Sequence, residues 1–150
     1  ELMSHLRQQV RERVGTILTG LTTTGSNVFQ SRLYPMEKAK LPGLIIYSIS
    51  EAATPITSGS SRTLQAQLTL AVEVYATGSN LDDTLDTVCS EVQEAMAGDR
   101  QLNGLAKDLQ LDSTEITFAQ EQETDIPAGY ATMNWSVFYN YAEDNTSTAL

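Results

Sequence analysis

The stretch from Thr63 to Ala76 constrains the fold more than any other part of the sequence. Apolar side chains occupy every second position from Leu64 onward, and most of the positions between them are polar. Alternation with a period of two predicts a β-strand with one buried face. At ~3.3 Å per residue this strand would be on the order of 40 Å long, whereas strands usually have about five or six residues. We therefore expect an antiparallel sheet that something outside the core also uses.

Two segments have the three- and four-residue spacing of apolar side chains that predicts amphipathic helices. The first runs from about Met3 to Gly20, with Ser4 as its N-cap. The second follows Ser79 or Asn80, either of which can cap it, and ends at Gly98. The buried stripe of this second helix is predicted to consist of Leu81, Leu85, Val88, Val92 and Met96.

Four further segments are predicted to be strands. They are Asn27–Tyr34, the β-branched run Leu44–Ile49, the segment Leu109–Phe118, and the strictly alternating Tyr130–Tyr141. A change of parity near Asp112–Thr114 indicates a bulge in the third of these. The order α-β-β-β-α-β-β predicts a single α+β domain over residues 1–150. Its antiparallel or mixed sheet would have about five strands, with both helices packed on one face.

Three connections are predicted to be irregular. Residues Glu51–Arg62 are rich in Ser, Thr, Ala and Gly, and they form a long, flexible hairpin loop between two strong strands. Loops of this length are either functional or merely mobile, and both interpretations stay open. Glu121–Asp125 is predicted to be a polar hairpin tip, and residues 143–150 a mobile C-terminal tail.

The residues for common catalytic and metal sites are missing from the sequence. Cys89 is the single cysteine and His5 the single histidine, so no disulfide, zinc site or histidine-based triad can form within one subunit. The three aspartates of the second helix, Asp82, Asp83 and Asp86, are better explained by the helix dipole than by a metal ion. We expect no enzyme, no cofactor and no metal.

A P-loop, a membrane span and a signal peptide are also not expected. Gly20–Asn27 is spaced like a phosphate-binding P-loop, but it lacks the lysine, and a helix rather than a strand precedes it. No apolar run has the ~18 residues of a membrane span, and the N-terminus has no apolar signal-peptide region.

Charge is distributed unevenly along the chain. The net charge is −10, and residues 1–75 carry seven basic and five acidic side chains, whereas residues 76–150 carry two basic and fourteen acidic ones. A basic surface for nucleic acid is therefore not expected. The asymmetry is explained either by solubility or by a head-to-tail oligomer in which a basic face meets an acidic one.

Candidate interface residues follow from this second explanation. On the first helix, three arginines lie off the apolar stripe, which makes them either a solvated face or the basic half of a subunit contact. The candidate partner or subunit interface consists of Arg7, Arg11, Arg13, Thr54, Ile56, Ser58 and Arg62. The candidate acidic face, for a lumen or a neighbouring subunit, consists of Glu121, Glu123 and Asp125.

Four stretches taken together resemble the tail terminator proteins of long-tailed bacteriophages, of the minor tail protein U type. They are Gly20–Pro35, Leu41–Tyr47, Arg62–Ala76 and Leu81–Met96. The likeness lies in the residue patterns of these stretches and in their order, from about Leu6 to Tyr141. It includes no diagnostic chemical motif. The family has no catalytic residues to transfer to this sequence.

This resemblance implies a structural virion protein that forms a hexameric ring on the last ring of the tail-tube protein. Such a ring stops tube polymerisation and presents a surface to the head-completion proteins, so its place is the neck region of the tail and, during assembly, the host cytoplasm. An acidic C-terminal half would line a channel through which DNA slides without binding, because like charges repel. The Glu51–Arg62 loop would contact the tube.

Two alternatives belong to other functional classes. The chain could instead be another neck or head–tail connector protein, or a tube-like subunit of a related contractile apparatus. It could also be a monomeric module that binds peptides at a sheet edge. Ring formation distinguishes the virion proteins from the module, and binding to the tube protein distinguishes a terminator from a connector.

Overall fold

A computed structural model describes residues 4–30, 41–119 and 128–150. Within these residues the chain forms two helices and six strands. In chain order they are α1 (Leu6–Leu18), β1 (Val28–Phe29), β2 (Gly43–Pro55), β3 (Thr63–Thr77), α2 (Leu81–Ala97), β4 (Asp108–Ala119), β5 (Ala128–Ala142) and β6 (Asn145–Ala149). A single 3-10 turn at Leu102–Gly104 leads into β4.

The strands form one mixed sheet in the order β1-β2-β3-β5-β4, and β6 pairs with β5 outside this path. Only the short β1 runs parallel to its neighbour, and the other pairs are antiparallel. Both helices contribute to a single hydrophobic core on one face of the sheet. The predicted α+β class, with two helices on a sheet of about five strands, is confirmed.

The long strand predicted at Thr63–Ala76 is β3, which lies between β2 and β5 and pairs with both along most of its length. Its alternating apolar residues face the helices, and from Ala66 to Val74 they are fully buried. The alternation predicted for Tyr130–Tyr141 is also confirmed, since its apolar parity is buried on the same side in β5.

The helices follow the predicted stripes but differ from the prediction at their ends. The N-cap of α1 is His5, whose Nδ1 atom accepts a hydrogen bond from the backbone N–H of Arg7 at 3.0 Å. Ser4 as the N-cap was therefore wrong; its carbonyl oxygen instead accepts a hydrogen bond from the Gln9 side chain. Every predicted stripe residue of α2 is buried, and Asn80 caps that helix without a side-chain hydrogen bond.

The predicted long loop at Glu51–Arg62 is shorter than expected. Strand β2 continues to Pro55, so residues 51–55 are strand and only residues 56–62 connect β2 to β3. A bulge at Ile49 shifts the register, so that Glu51 pairs with Leu68 and faces the core side. Sequence composition missed this extension because the partner strand, rather than the propensity of residues 51–55, holds these residues in the sheet.

Most of the segment that was predicted to be a mobile tail forms a strand, because Asn145–Ala149 is β6. The pairing of β4 with β5 begins at Phe138, which leaves the outer edge of β5 beyond that residue available to β6. The Gln9 side chain of α1 donates to the Ser147 carbonyl at 2.8 Å, and the Leu150 N–H donates to the Asn140 carbonyl at 2.9 Å.

The predicted strand at Asn27–Tyr34 is only partly described. Val28 and Phe29 form β1 and pair with Leu44 and Ile45, whereas the part beyond residue 30 lies outside the described residues. The predicted hairpin tip Glu121–Asp125 also lies outside them.

Candidate interaction surfaces

The arginines of α1 are used largely within the subunit. Arg7 donates to Glu51 at 2.8 Å, and the Glu51 side chain is only 8% exposed. Arg13 forms an ion pair with Asp99 at 2.8 Å. Arg11 forms no ion pair within the described part of the chain, and its buried Nε atom has no hydrogen-bond partner there. The three arginines are therefore not equally available to a partner, and their role as a subunit contact stays a prediction.

The pKa values of side chains in and beside these ion pairs are shifted. The backbone N–H of Asn103, followed by Arg13, stabilises the charged form of Asp99 and lowers the pKa of that carboxyl. Burial and the nearby Glu51 carboxylate raise the pKa of the Tyr139 phenol, which favours its neutral form. The Arg7–Glu51 pair thus lies over a buried neutral tyrosine and connects α1 to β2.

One end of the sheet presents two connections side by side, and we call it the loop end (residues 52–62, 143 and 144). Arg62 makes two 2.7 Å hydrogen bonds to the Glu143 carboxylate, and the Glu143 N–H donates to the Arg62 carbonyl at 2.9 Å. The guanidinium lowers the pKa of Glu143. These contacts tie the β2–β3 loop to the β5–β6 turn.

Four predicted interface residues lie at the loop end. Thr54 is in the last part of β2, Ile56 and Ser58 are in the loop, and Arg62 is the residue that fixes the loop to Glu143. The Ile56 side chain is 50% exposed, and its backbone N–H donates to Thr63 at the base of the loop. The structure therefore brings these four residues together at one end of the sheet, whereas Arg13 pairs with Asp99.

The second broad surface is the helix-free face, the side of the sheet opposite α1 and α2. Glu73, Thr132 and Glu115 are in register on this face, and the Glu73 carboxylate accepts hydrogen bonds from the hydroxyls of Thr132 and Tyr75, both at 3.2 Å. At the bulge of β4, the Asp112 carboxylate accepts a hydrogen bond from Ser136. The predicted acidic residues Glu121, Glu123 and Asp125 lie outside the described residues.

The charged side chains of the four long strands are all negative. Strands β2 to β5 contain carboxylates but no lysine or arginine. On the described strands the helix-free face also carries amides, hydroxyls, the apolar side chains of Ile45, Ala71 and Phe138, and the stacked rings of Tyr75 and Tyr130, whose centroids are 5.1 Å apart. Burial, followed by the Glu73 carboxylate, raises the pKa of Tyr75. Within the described strands, this face therefore carries carboxylates and no cationic side chain.

Sequence analysis missed one surface, the β4 edge. The predicted bulge is confirmed by a register shift between Leu111 and Ser113, and it keeps the apolar residues of β4 on the core side of the sheet. However, α2 packs on β3 and β5, so the end of β4 is left uncovered by it. Ile116 is 49% exposed and Phe118 is 56% exposed. Periodicity identifies the face of a residue but not how far the covering helix reaches.

The described residues contain no group of three or more His, Cys, Asp or Glu side chains that could hold a metal ion. The Cys89 thiol is buried, and this burial, together with the charge of Asp86, raises its pKa to about 11. No helix in the described ranges has the length and apolar character needed to cross a membrane.

Comparison with known proteins identifies the family. The model for phage minor tail protein U matches residues 5–146, nearly the whole chain. The chain belongs to this family. It is accordingly a structural protein of a phage tail and a component of the virion.

Other comparisons add little to this assignment. No curated protein matches this minor tail protein. Among solved structures, it is similar to a chain described as part of the virion of a native gene transfer agent particle, with 10% sequence identity and a TM-score of 0.34. That alignment covers 89% of this chain and 92% of the other.

Proposed function

We propose that this minor tail protein forms a ring of six subunits that caps the tail tube. The ring ends tube polymerisation and gives the head-completion proteins a surface to join. The observation that carries the proposal is the family match over residues 5–146. The protein would act in the neck region of the virion, after assembly in the host cytoplasm.

The loop end supports contact with the last ring of the tube. Residues 52–61 are all exposed, whereas the strands that lead into them are anchored in the core through β3 and β5. The Arg62–Glu143 pair fixes the loop against the neighbouring turn, so less conformational entropy is lost when a partner binds. Ile56 supplies an exposed apolar side chain at the centre of this surface.

The helix-free face supports passage of DNA through the ring. With carboxylates such as Glu73, Asp112 and Glu115 and no basic residue on the long strands, this face repels phosphate groups. We propose that it lines the lumen; the acidic face predicted at Glu121, Glu123 and Asp125 concerns residues outside the described ranges. DNA would then pass without being held.

The capping proposal is tested with a shortened loop. Ile56 and Thr63 already pair across the loop, so replacing Thr57–Arg62 by Asn-Gly gives a two-residue hairpin connection of favoured geometry. We expect this variant to form rings but to leave tubes growing, as measured by tube length in electron micrographs. The Arg62→Ala variant, which removes only the ion pair, should cap with reduced affinity.

Two results would contradict the proposal. If wild-type protein neither forms rings nor limits tube length, the terminator function is wrong; binding to a head-completion protein alone would then favour a connector, and a strict monomer would favour a peptide-binding module. If the shortened loop caps as well as the wild type, the loop end is not the tube contact.

A further inference from the structure

The outer edge of β4 is open beyond its bulge. Within the described residues β4 pairs only with β5, and from residue 113 to residue 119 that pairing runs in unbroken register. Apart from the ladder with β5, no hydrogen bond among the described residues uses the main chain of residues 113–118. Before the bulge, by contrast, the Leu109 N–H already donates to the Asp108 carboxylate at 2.9 Å. Residues 113–118 therefore present main-chain groups that another strand could pair with.

The helix side of this open stretch is apolar. Ile116 and Phe118 lie there in register with Ala131 and Gly129, and they are 49% and 56% exposed. They are two of the five large apolar side chains that are exposed in the described chain. Phe118 and the start of α2 line a groove of about 340 Å³. A strand added beside β4 would bring its own apolar side chains against Ile116 and Phe118.

The surroundings of the open stretch are acidic. Glu115 lies on its helix-free face, and Asp82 and Asp83 line the groove at its end. None of these three carboxylates forms an ion pair within the described ranges. The two basic residues of the second half of the chain, Arg100 and Lys107, both precede β4 and line a pocket at its other end. The open stretch therefore offers negative charge that has no cationic partner in the described subunit.

This charge disfavours a second copy as the added strand. The described strands β1 to β6 contain no lysine or arginine, so none of them can bring a cation to Glu115. Two β4 strands paired antiparallel, with their helices on one side, would place both Glu115 side chains on the same face. Like charges on paired strands are destabilising, and such repulsion selects between partners. The edge is therefore protected against its own kind but not against a basic strand.

From these observations we infer that the β4 edge accepts an extended segment of a different protein as an added strand, and that this segment alternates apolar with basic side chains. The apolar side chains of the segment would lie beside Ile116 and Phe118, and the basic ones beside Glu115. Main-chain hydrogen bonds supply affinity in such strand addition, and the alternate side chains supply specificity. The inference goes beyond the capping function and does not depend on a ring.

The first test measures binding of a synthetic peptide by fluorescence polarisation. The probe is fluorescein-labelled Lys-Val-Lys-Val-Lys-Val-Lys, and we expect saturable one-to-one binding to the full chain that weakens with salt. The matched control has proline in place of the middle valine, which keeps the charge but removes a main-chain donor. It should bind at least about tenfold more weakly. Equal binding of the two peptides would reduce the contact to charge alone and overturn the inference.

Two pairs of variants locate the contact. Ile116→Ser is compared with Ile49→Ser, because the two isoleucines are 49% and 48% exposed. Glu115→Lys is compared with Glu94→Lys, which reverses an exposed carboxylate on α2. We expect the two β4 variants to bind the peptide at least about tenfold more weakly and the two controls to bind it like the wild type. All four side chains are exposed or half exposed, so thermal unfolding should change little. Unchanged binding by both β4 variants would contradict the inference.

Hydrogen exchange distinguishes strand addition from adhesion of side chains. With the peptide bound, amides among residues 113–118 should exchange more slowly, because those that point outward become hydrogen-bonded. Bound peptide without added protection there would show that β4 does not accept a strand.

A last measurement decides between a different protein and a second copy. In a Cys89→Ala background, Thr117→Cys places one thiol on the open stretch. If a bis-maleimide links identical copies efficiently without the peptide, the occupant is a second copy and the inference is wrong; we expect little linking. Tube length, which tests the capping function, does not enter these measurements, so either conclusion can fail without the other.

Discussion

Gly129 is the point where β5, β4 and the start of α2 come closest together. A Cβ atom added at this position would lie 2.9 Å from the Thr117 carbonyl oxygen and 3.1 Å from Leu81 Cδ2. The Gly129→Ala variant therefore has to move the backbone of the edge strand. We expect its free energy of unfolding to fall by about 1–3 kcal/mol, measured by urea denaturation.

The control for this prediction is Gly98→Ala at the end of α2. Its added Cβ would meet the nearest backbone oxygen at 3.4 Å, an ordinary contact, and its backbone conformation is helical. We expect a change within about 0.5 kcal/mol, possible in either direction. Equal stability of the two variants would show that β4 does not approach β5 as closely as described.

At the scale of single residues, the sequence predicts which side chains are buried better than it predicts their polar partners. The stripe of α2 and the alternation of β3 follow directly from spacing, because burial on one face is a local property. The pairing of Arg7 with Glu51 depends on chain segments that meet only in the fold. The N-cap at His5 is a local contact to the Arg7 N–H, but histidine is not among the side chains preferred at that position. No local pattern distinguishes these residues from ordinary solvated ones.

At the scale of elements, β6 has consequences for stability. A chain ending at Asp144 would lose the hydrogen bonds from Gln9 to Ser147 and from Leu150 to Asn140, together with the pairing to β5. At about 1 kcal/mol for each hydrogen bond, we expect the free energy of unfolding to fall by about 1–3 kcal/mol. Thermal and urea unfolding measure this loss.

A variant that keeps β6 but removes its side-chain contact with α1 serves as the control. Gln9→Ala loses the bond to the Ser147 carbonyl and also the local bond to the Ser4 carbonyl, so it should lower the free energy of unfolding by about 1–2 kcal/mol. A truncated chain with wild-type stability would restore the interpretation of residues 145–150 as a mobile tail.

The elements that sequence analysis misjudged share one physical cause. The distal part of β2 and the whole of β6 have weak intrinsic strand character, and each becomes a strand because a stronger neighbour offers an open edge. The exposure of Ile116 and Phe118 has a related origin, since it depends on where α2 ends its coverage of the sheet. Only tertiary structure contains this information.

At the scale of the whole molecule, internal pairs use much of the basic charge that the sequence places in its first half. Arg13 pairs with Asp99 and Arg62 with Glu143, so both connect the basic half of the chain to the acidic half within one subunit. Within the described residues, a head-to-tail attraction between subunits therefore depends on a cation that has no ion pair inside the subunit. Among the arginines of α1 this is Arg11.

Reversing the charge of Arg11 should consequently weaken assembly more than it weakens the subunit. For Arg11→Glu we expect a loss of about 0.2–1 kcal/mol at each subunit contact, which is about a 1.4- to 5-fold weaker association, and a smaller effect of salt than in the wild type. Sedimentation at low and moderate salt measures both quantities.

The comparison with Arg13→Glu decides whether this charge acts between subunits. Arg13→Glu breaks the pair with Asp99 inside the subunit, so it should lower the unfolding free energy, and the swap with Asp99→Arg should restore part of it. Arg11→Glu, by contrast, should leave unfolding nearly unchanged while it shifts the ring equilibrium. If both variants affect only unfolding, the charge asymmetry of the chain serves the fold of the subunit rather than its assembly.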